Sequence, residues 1–225
     1  MRNYFWHLKW LGVCAAAVGL ATETGLGGDD PGTGIYFRGG MGPALAQRTD
    51  VLEVFGPVSG VKVKYDPGLR LSVAGGYHFC SYFSAELESG IIYNTIDSIS
   101  GSPEPDASLA NVPLLCNAVF HLPLESKFTP YCGVGAGGSS SVLDINHATI
   151  AGVSLHGDDA VMVWAVQAFA GFRYEFNDHM AVGAGYKFLA TGEPEWDAIS
   201  AGGSGRIRFD KARTHALLAE FTMRF

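Results

Sequence analysis

Eight stretches of this chain alternate apolar and polar side chains residue by residue, and their polar positions hold glycine and charges of both signs. Period two is the mark of a strand whose two faces meet different surroundings. The stretches are residues 34–41, 69–79, 83–94, 112–121, 131–142, 161–176, 180–189 and a last one ending at Phe225. In the sixth, Met162, Trp164, Val166, Ala168, Ala170, Phe172 and Tyr174 oppose Gln167, Arg173 and Glu175; in the third, Phe83, Ala85, Leu87, Ile91 and Tyr93 oppose Ser84, Glu86, Glu88 and Asn94. Short connections (81–82, 122–129, 177–179) alternate with long ones (43–67, 95–109, 143–160, 190–210). That alternation fits an up-and-down barrel with tight turns at one end and loops at the other, and an even strand number leaves no edge unpaired.

Alternation alone does not say which face is inside, because a water-soluble barrel uses the same period with the opposite sense. The polar face decides. It carries Arg38, Arg70, Arg173, Lys187 and Arg224 with Glu86, Glu88, Glu175 and Glu220, so the signs nearly cancel. A water-facing surface needs no such balance, whereas a narrow lumen does, since a buried charge without a partner is costly. Gly133, Gly135 and Gly137 share that face and leave room for long side chains from the opposite wall. The apolar face ends in aromatics, with Tyr77, Phe79, Phe120, Tyr174, Phe176 and Phe225 toward the short turns and Tyr93, Trp164 and Phe188 toward the loops. Such rings suit the two interfacial girdles of a membrane barrel. The pattern predicts an all-β fold, a transmembrane eight-stranded antiparallel up-and-down β-barrel with a filled, ion-paired lumen, short periplasmic turns and four longer external loops.

The N-terminus has Arg2 and Lys9 ahead of an apolar run, residues 10–21, and then small and polar residues. The run is far shorter than the roughly 20 residues a spanning helix needs, and it reads as a signal peptide cleaved after Ala21. Residues 22–32 then form a flexible periplasmic tail and residues 33–225 the barrel. Cys14 follows Val13 rather than a small residue, which argues against a lipid anchor. Cleavage takes the formal charge from −7 to −9, which speaks against nucleic acid as a partner. Cys80, Cys116 and Cys132 remain, an odd number that excludes a complete disulfide framework, and they read as small apolar residues.

Three stretches resemble a known family. Residues 111–138 (NVPLLCNAVFHLPLESKFTPYCGVGAGG), 164–191 (WAVQAFAGFRYEFNDHMAVGAGYKFLAT) and the ending AEFTMRF are similar to the opacity-type and OmpA-like small outer-membrane barrels. The resemblance implies the outer membrane of a Gram-negative cell, contact with its lipid and lipopolysaccharide, and recognition of Phe221, Met223 and Phe225 by the barrel-assembly machinery. It implies fold more firmly than activity. The peptidoglycan-binding domain that full-length OmpA carries is not seen.

The residues offer little chemistry. His147-Ala148-Thr149, with Asp158 and Asp159 nearby, is faintly similar to the His-x-Ser pair of lipid A deacylases, but threonine replaces serine and the register puts the histidine in a loop. An OmpW-like channel for small hydrophobic molecules needs an apolar pocket, and inward Ile92, Leu115 and Leu218 are too few to demand one. Loop acids such as Asp97, Glu104, Asp106, Asp144, Glu195 and Asp210 read as solvated charge, and the histidines lack metal-ligand spacing. Trp196, a large aromatic in a loop, is the candidate contact residue. The expectation is a non-enzymatic surface protein without cofactor or metal, supporting membrane integrity and displaying loops to host or cell-surface ligands.

Overall fold

The computed structural model describes residues 33–100, 106–150, 153–200 and 203–225. The expected signal peptide and periplasmic tail, residues 1–32, lie outside them. Every regular element there is a strand: β1 (Gly34–Ala46), β2 (Thr49–Val54), β3 (Lys62–Tyr65), β4 (Gly68–Cys80), β5 (Phe83–Ile99), β6 (Asp106–His121), β7 (Phe128–Ile150), β8 (Val153–Glu175), β9 (Met180–Thr191), β10 (Glu195–Ser200), β11 (Gly203–Phe209) and β12 (Arg213–Arg224).

Eight of these close a barrel. Going round, the order is β1, β4, β5, β6, β7, β8, β9, β12 and back to β1, every neighbour antiparallel. Closure is at β1–β12, where Tyr36 lies opposite Arg224 and Ala46 opposite Thr214. The eight-stranded expectation holds. Its outer wall is greasy, with Leu71, Val73, Leu87, Ile91, Val134, Phe172 and Leu217 all exposed. At the short-turn end Phe79, Phe83 and Phe120 run ring to ring, as do Phe128, Tyr174 and Phe176, and Phe225 meets Phe37 edge-on. Ten residues up β5, Tyr93 marks the other rim. At the usual tilt that separation matches the apolar band of about 25 Å in such barrels.

The long connections are where the structure departs from expectation. Residues 43–67 and 190–210 fold largely as hairpins, β2–β3 and β10–β11, rather than as irregular loops. The strands β5 to β8 are 16 to 23 residues long, against 12 or 13 for β1, β4, β9 and β12, and their surplus continues past the rim. There the hairpins take the places of the four shorter strands. Tyr65 pairs with Ile96, Thr49 with Val63, Val54 with Ile207, Trp196 with Ile207, and Ile199 with His156. The result is a second closed ring, β5-β6-β7-β8-β10-β11-β2-β3, that caps the first.

Candidate functional site

What this molecule holds inside is a stack of layers, set by the inward positions of the same eight strands. At the short-turn mouth the Arg224 guanidinium donates to Glu175 at 2.7 Å, and the Thr129 hydroxyl donates to the same oxygen at 3.0 Å. Just above sit His78, His121 and Arg173 with Ser84 and Tyr36, all buried. The next layer joins Arg38 to Glu86 directly and to Glu220 at 3.6 Å, while the Tyr131 hydroxyl donates to Glu220. Tyr131 lies along the adjoining wall because its neighbours there are glycine: a Cβ on Gly171 of β8 or Gly185 of β9 would stand 2.5 or 2.6 Å from its hydroxyl.

Glu88 is the hub of the following layer. One oxygen accepts from Arg70 at 3.0 Å and Lys187 at 2.8 Å, the other from Asn117 and Gln167, both at 2.8 Å. All nine charged residues singled out from the sequence thus face the lumen or its mouth. Eight of them form ion pairs with one another, and Arg173 pairs with no carboxylate among the described residues. Tyr36, Tyr131, Asn117 and Gln167 complete the network without having been nominated, although the parity of β1, β6, β7 and β8 puts them on the polar face.

Above Glu88 an apolar cluster enters the lumen beside buried polar groups such as Asn94 and Asn111. Ala44, Ile92, Leu115, Ala165, Leu189, Ala216 and Leu218 form a buried collar. Beyond it the cap has its own core, with Val51, Val54, Val63, Tyr65, Ile96, Ile99, Leu109, Leu143, Ile145, Ile207 and Phe209 packed round Trp196. Burial there pushes the Tyr65 hydroxyl up to about 12. Trp196 corrects the sequence reading: it is only 1% exposed, stands edge-on to Phe209 and donates its indole N–H to the Ser141 carbonyl at 2.9 Å. A tryptophan in a glycine-rich connection reads as a contact residue, but residues 195–200 form a strand whose inward positions fill a core.

Two arrangements bear on chemistry. Ser84 Oγ is 2.8 Å from His121 Nε2, the spacing of a nucleophile and its base. The third member, however, is Arg173, whose N–H donates to His121 Nδ1 at 2.8 Å. Nδ1 therefore carries the lone pair and Nε2 the proton, so the imidazole donates to Ser84 and cannot activate it. The faint His147/Thr149 pair lies in the backbone of β7 rather than in a loop, and its side chains, with that of Asp158, lie outside the described residues. Cys80, Cys116 and Cys132 are unpaired on the outer wall.

No curated protein sequence matches the chain at a significant level. Among solved structures it is similar to Neisserial surface protein A, at 14% identity and a TM-score of 0.56 over 87% of this chain and 100% of that one. It is similar also to the outer membrane protein OprG from Pseudomonas aeruginosa, at 16% identity and 0.62 over 86% and 97%. At such identities the likeness is one of fold. The model of the outer membrane protein beta-barrel domain matches residues 12–225, nearly the whole sequence, and with its lipid-facing wall and polar lumen this chain belongs to that family and resides in the outer membrane.

Proposed function

We propose that the protein is a non-enzymatic surface barrel, which supports the membrane as a filled plug and holds its long-loop ends out as a rigid display platform. The observation that carries this reading is the cap. Four of its strands, β5 to β8, continue the membrane wall, the two hairpins complete the ring, and together they enclose a packed apolar core of their own, so the ends of β7, β8, β10 and β11 are held well clear of the rim. A display role needs such rigidity, because ordering flexible loops on binding costs affinity. The layers below support the same reading, since an ion-paired plug under an apolar collar leaves the lumen filled rather than open. Lipid and lipopolysaccharide then contact the greasy wall, the assembly machinery recognises Phe221, Met223 and Phe225, and the partner is a host or cell-surface ligand at the cap.

The test compares cells making the wild-type barrel with cells making one whose residues 146–158 are replaced by a two-residue turn. Attachment to host cells or to neighbouring cells is expected to fall to background while the barrel still migrates as folded in unheated gels. Planar bilayers containing the protein are expected to stay closed. A stable open level, or uptake of small hydrophobic molecules, would overturn the reading in favour of a channel. A change in lipid A acylation on mass spectrometry, abolished by His147→Ala, would do so in favour of an enzyme.

A further inference from the structure

The lower lumen holds one cation more than it has carboxylates. Among the described residues its buried charges are Arg38, Arg70, Arg173 and Lys187 against Glu86, Glu88 and Glu220. The surplus can be placed. Arg38, Arg70 and Lys187 each lie within ion-pair distance of a buried glutamate, while Arg173, only 2% exposed, lies within that distance of none. Its neighbour along β8, Glu175, is taken by Arg224 and Thr129 at the mouth. Arg173 spends one N–H on His121 and lies over the Tyr131 ring at 5.5 Å, but its Nε–H has no partner. Next to it, His78 packs against His121 at 4.9 Å and Tyr36 at 4.5 Å between ring centres, and its Nε2 is likewise buried without a partner.

A guanidinium does not give up its proton in a protein, so burial cannot be relieved by neutralising Arg173. A water molecule would satisfy its N–H but leave the charge uncompensated. His121 cannot help, because its Nδ1 accepts from Arg173 and it is therefore neutral. We infer that a small monovalent anion, chloride in the ordinary setting, binds between Arg173 and His78. The Arg173 Nε–H and the His78 Nε2–H, in that tautomer, are its donors. The closely packed, mutually tilted rings of Tyr36, His78 and His121 suit a single-atom ion rather than an oxyanion, which would need more donors than these two. Arg173 is two residues from the end of β8, about 7 Å along the strand from the short-turn mouth. The ion enters there without passing the Glu88 layer or the collar.

The experiment uses the signal-less barrel folded in a zwitterionic detergent. Its thermal unfolding midpoint is measured in sodium chloride and in sodium gluconate at equal ionic strength, and crystals are grown with sodium bromide. The midpoint is expected to rise in chloride by about 3 °C and to saturate with concentration, and Arg173→Gln is expected to remove that difference. Bromide is expected to give an anomalous peak beside Arg173 and His78. Equal midpoints in the two salts, or a chloride response that survives in Arg173→Gln, would overturn the proposal. So would crystals without a bromide peak at that place, a result that needs no variant to fold.

Discussion

The lower barrel and the cap share the strands β5 to β8, yet they are inside out with respect to each other. Along β5 the inward positions read Ser84, Glu86, Glu88 and then Ile92, Asn94 and Ile96, while the outward ones read Phe83, Leu87, Ile91, Tyr93 and then Thr95 and Asp97. The alternation keeps its period as far as Asp97 while its sense inverts at the aromatic rim, and a bulge opposite Lys64 and Tyr65 then turns Ile99 inward as well. Below that point the wall faces lipid, where apolar side chains cost nothing and the polar ones must satisfy each other within. Above it the wall faces water, and the same chain gains stability by burying Ile96, Ile99 and Trp196 instead. The crossover level is thus a record of where the membrane ends, written in the side chains of a single strand.

The strongest way to break that contrast is to attack the polar hub. Glu88→Ala leaves Arg70 and Lys187 buried without their shared carboxylate and is expected to cost about 3–5 kcal/mol; Glu88→Lys, which adds a third cation, should abolish folding. Urea unfolding in micelles, followed by tryptophan fluorescence, measures both. A loss near that of an exposed pair, under about 1 kcal/mol, would mean that the lumen is wet enough to screen its charges. The matching change in the cap is Trp196→Ala, expected to cost about 3–5 kcal/mol as a large buried aromatic. Here the loss should stay local. Proteolysis is expected to clip the cap while the remainder keeps its folded migration in unheated gels, and unfolding of the whole chain in one step would show the two regions to be a single cooperative unit.

These two residues also mark what could and could not be seen in the sequence. Glu88 was legible, because alternation from Phe83 to Asn94 fixed its face, and two carboxylates on one face of a strand demand partners. So was the barrel, whose strand number and closure follow from period and connection length. Arg173 was half legible: its face was right, but whether a given cation finds a carboxylate depends on height round the barrel, which register sets and periodicity does not. Trp196 was misplaced for a different reason. Residues 195–209 are interrupted by glycines at 202, 203 and 205, so the segment looked like a loop, and nothing local says that β2 will pair with it. The inversion of sense past Tyr93 likewise lay in plain view, but only the second ring shows that Ile96 and Ile99 have a core to enter.

A smaller effect tests how the cap is fastened. The tip of β2 turns at Phe55, whose φ of +53° is unusual for a bulky residue, and its ring lies over Gly205 of β11. A Cβ at 205 would come within 2.2 Å of that ring. Gly205→Ala is therefore expected to cost about 1–3 kcal/mol as an overpacked contact, and Phe55→Ala made together with it should cost less than the two changes summed. Hydrogen exchange at the Phe55 amide, which bonds to the Arg206 carbonyl at 3.0 Å, reports the opening of this latch directly. Additive costs would place the fastening elsewhere.

The smallest effect sharpens the contrast from the other side, because the cap has ion pairs too. Lys64 Nζ donates to Asp97 Oδ2 at 2.7 Å, but both side chains meet water, at 51% and 34% exposure. The lysine hydrogen bond lowers the Asp97 pKa. A carboxylate held below its unfolded value adds stability above the ordinary carboxylate range and loses it as pH falls through the folded value. Lys64→Met should therefore change nothing in acid and almost nothing at neutral pH, and 1 M salt should erase what difference there is. The Glu88→Ala loss, in contrast, should survive that salt, since ions do not reach the hub. If the two variants respond to salt alike, then exposure is not what separates the charges of the cap from those of the lumen.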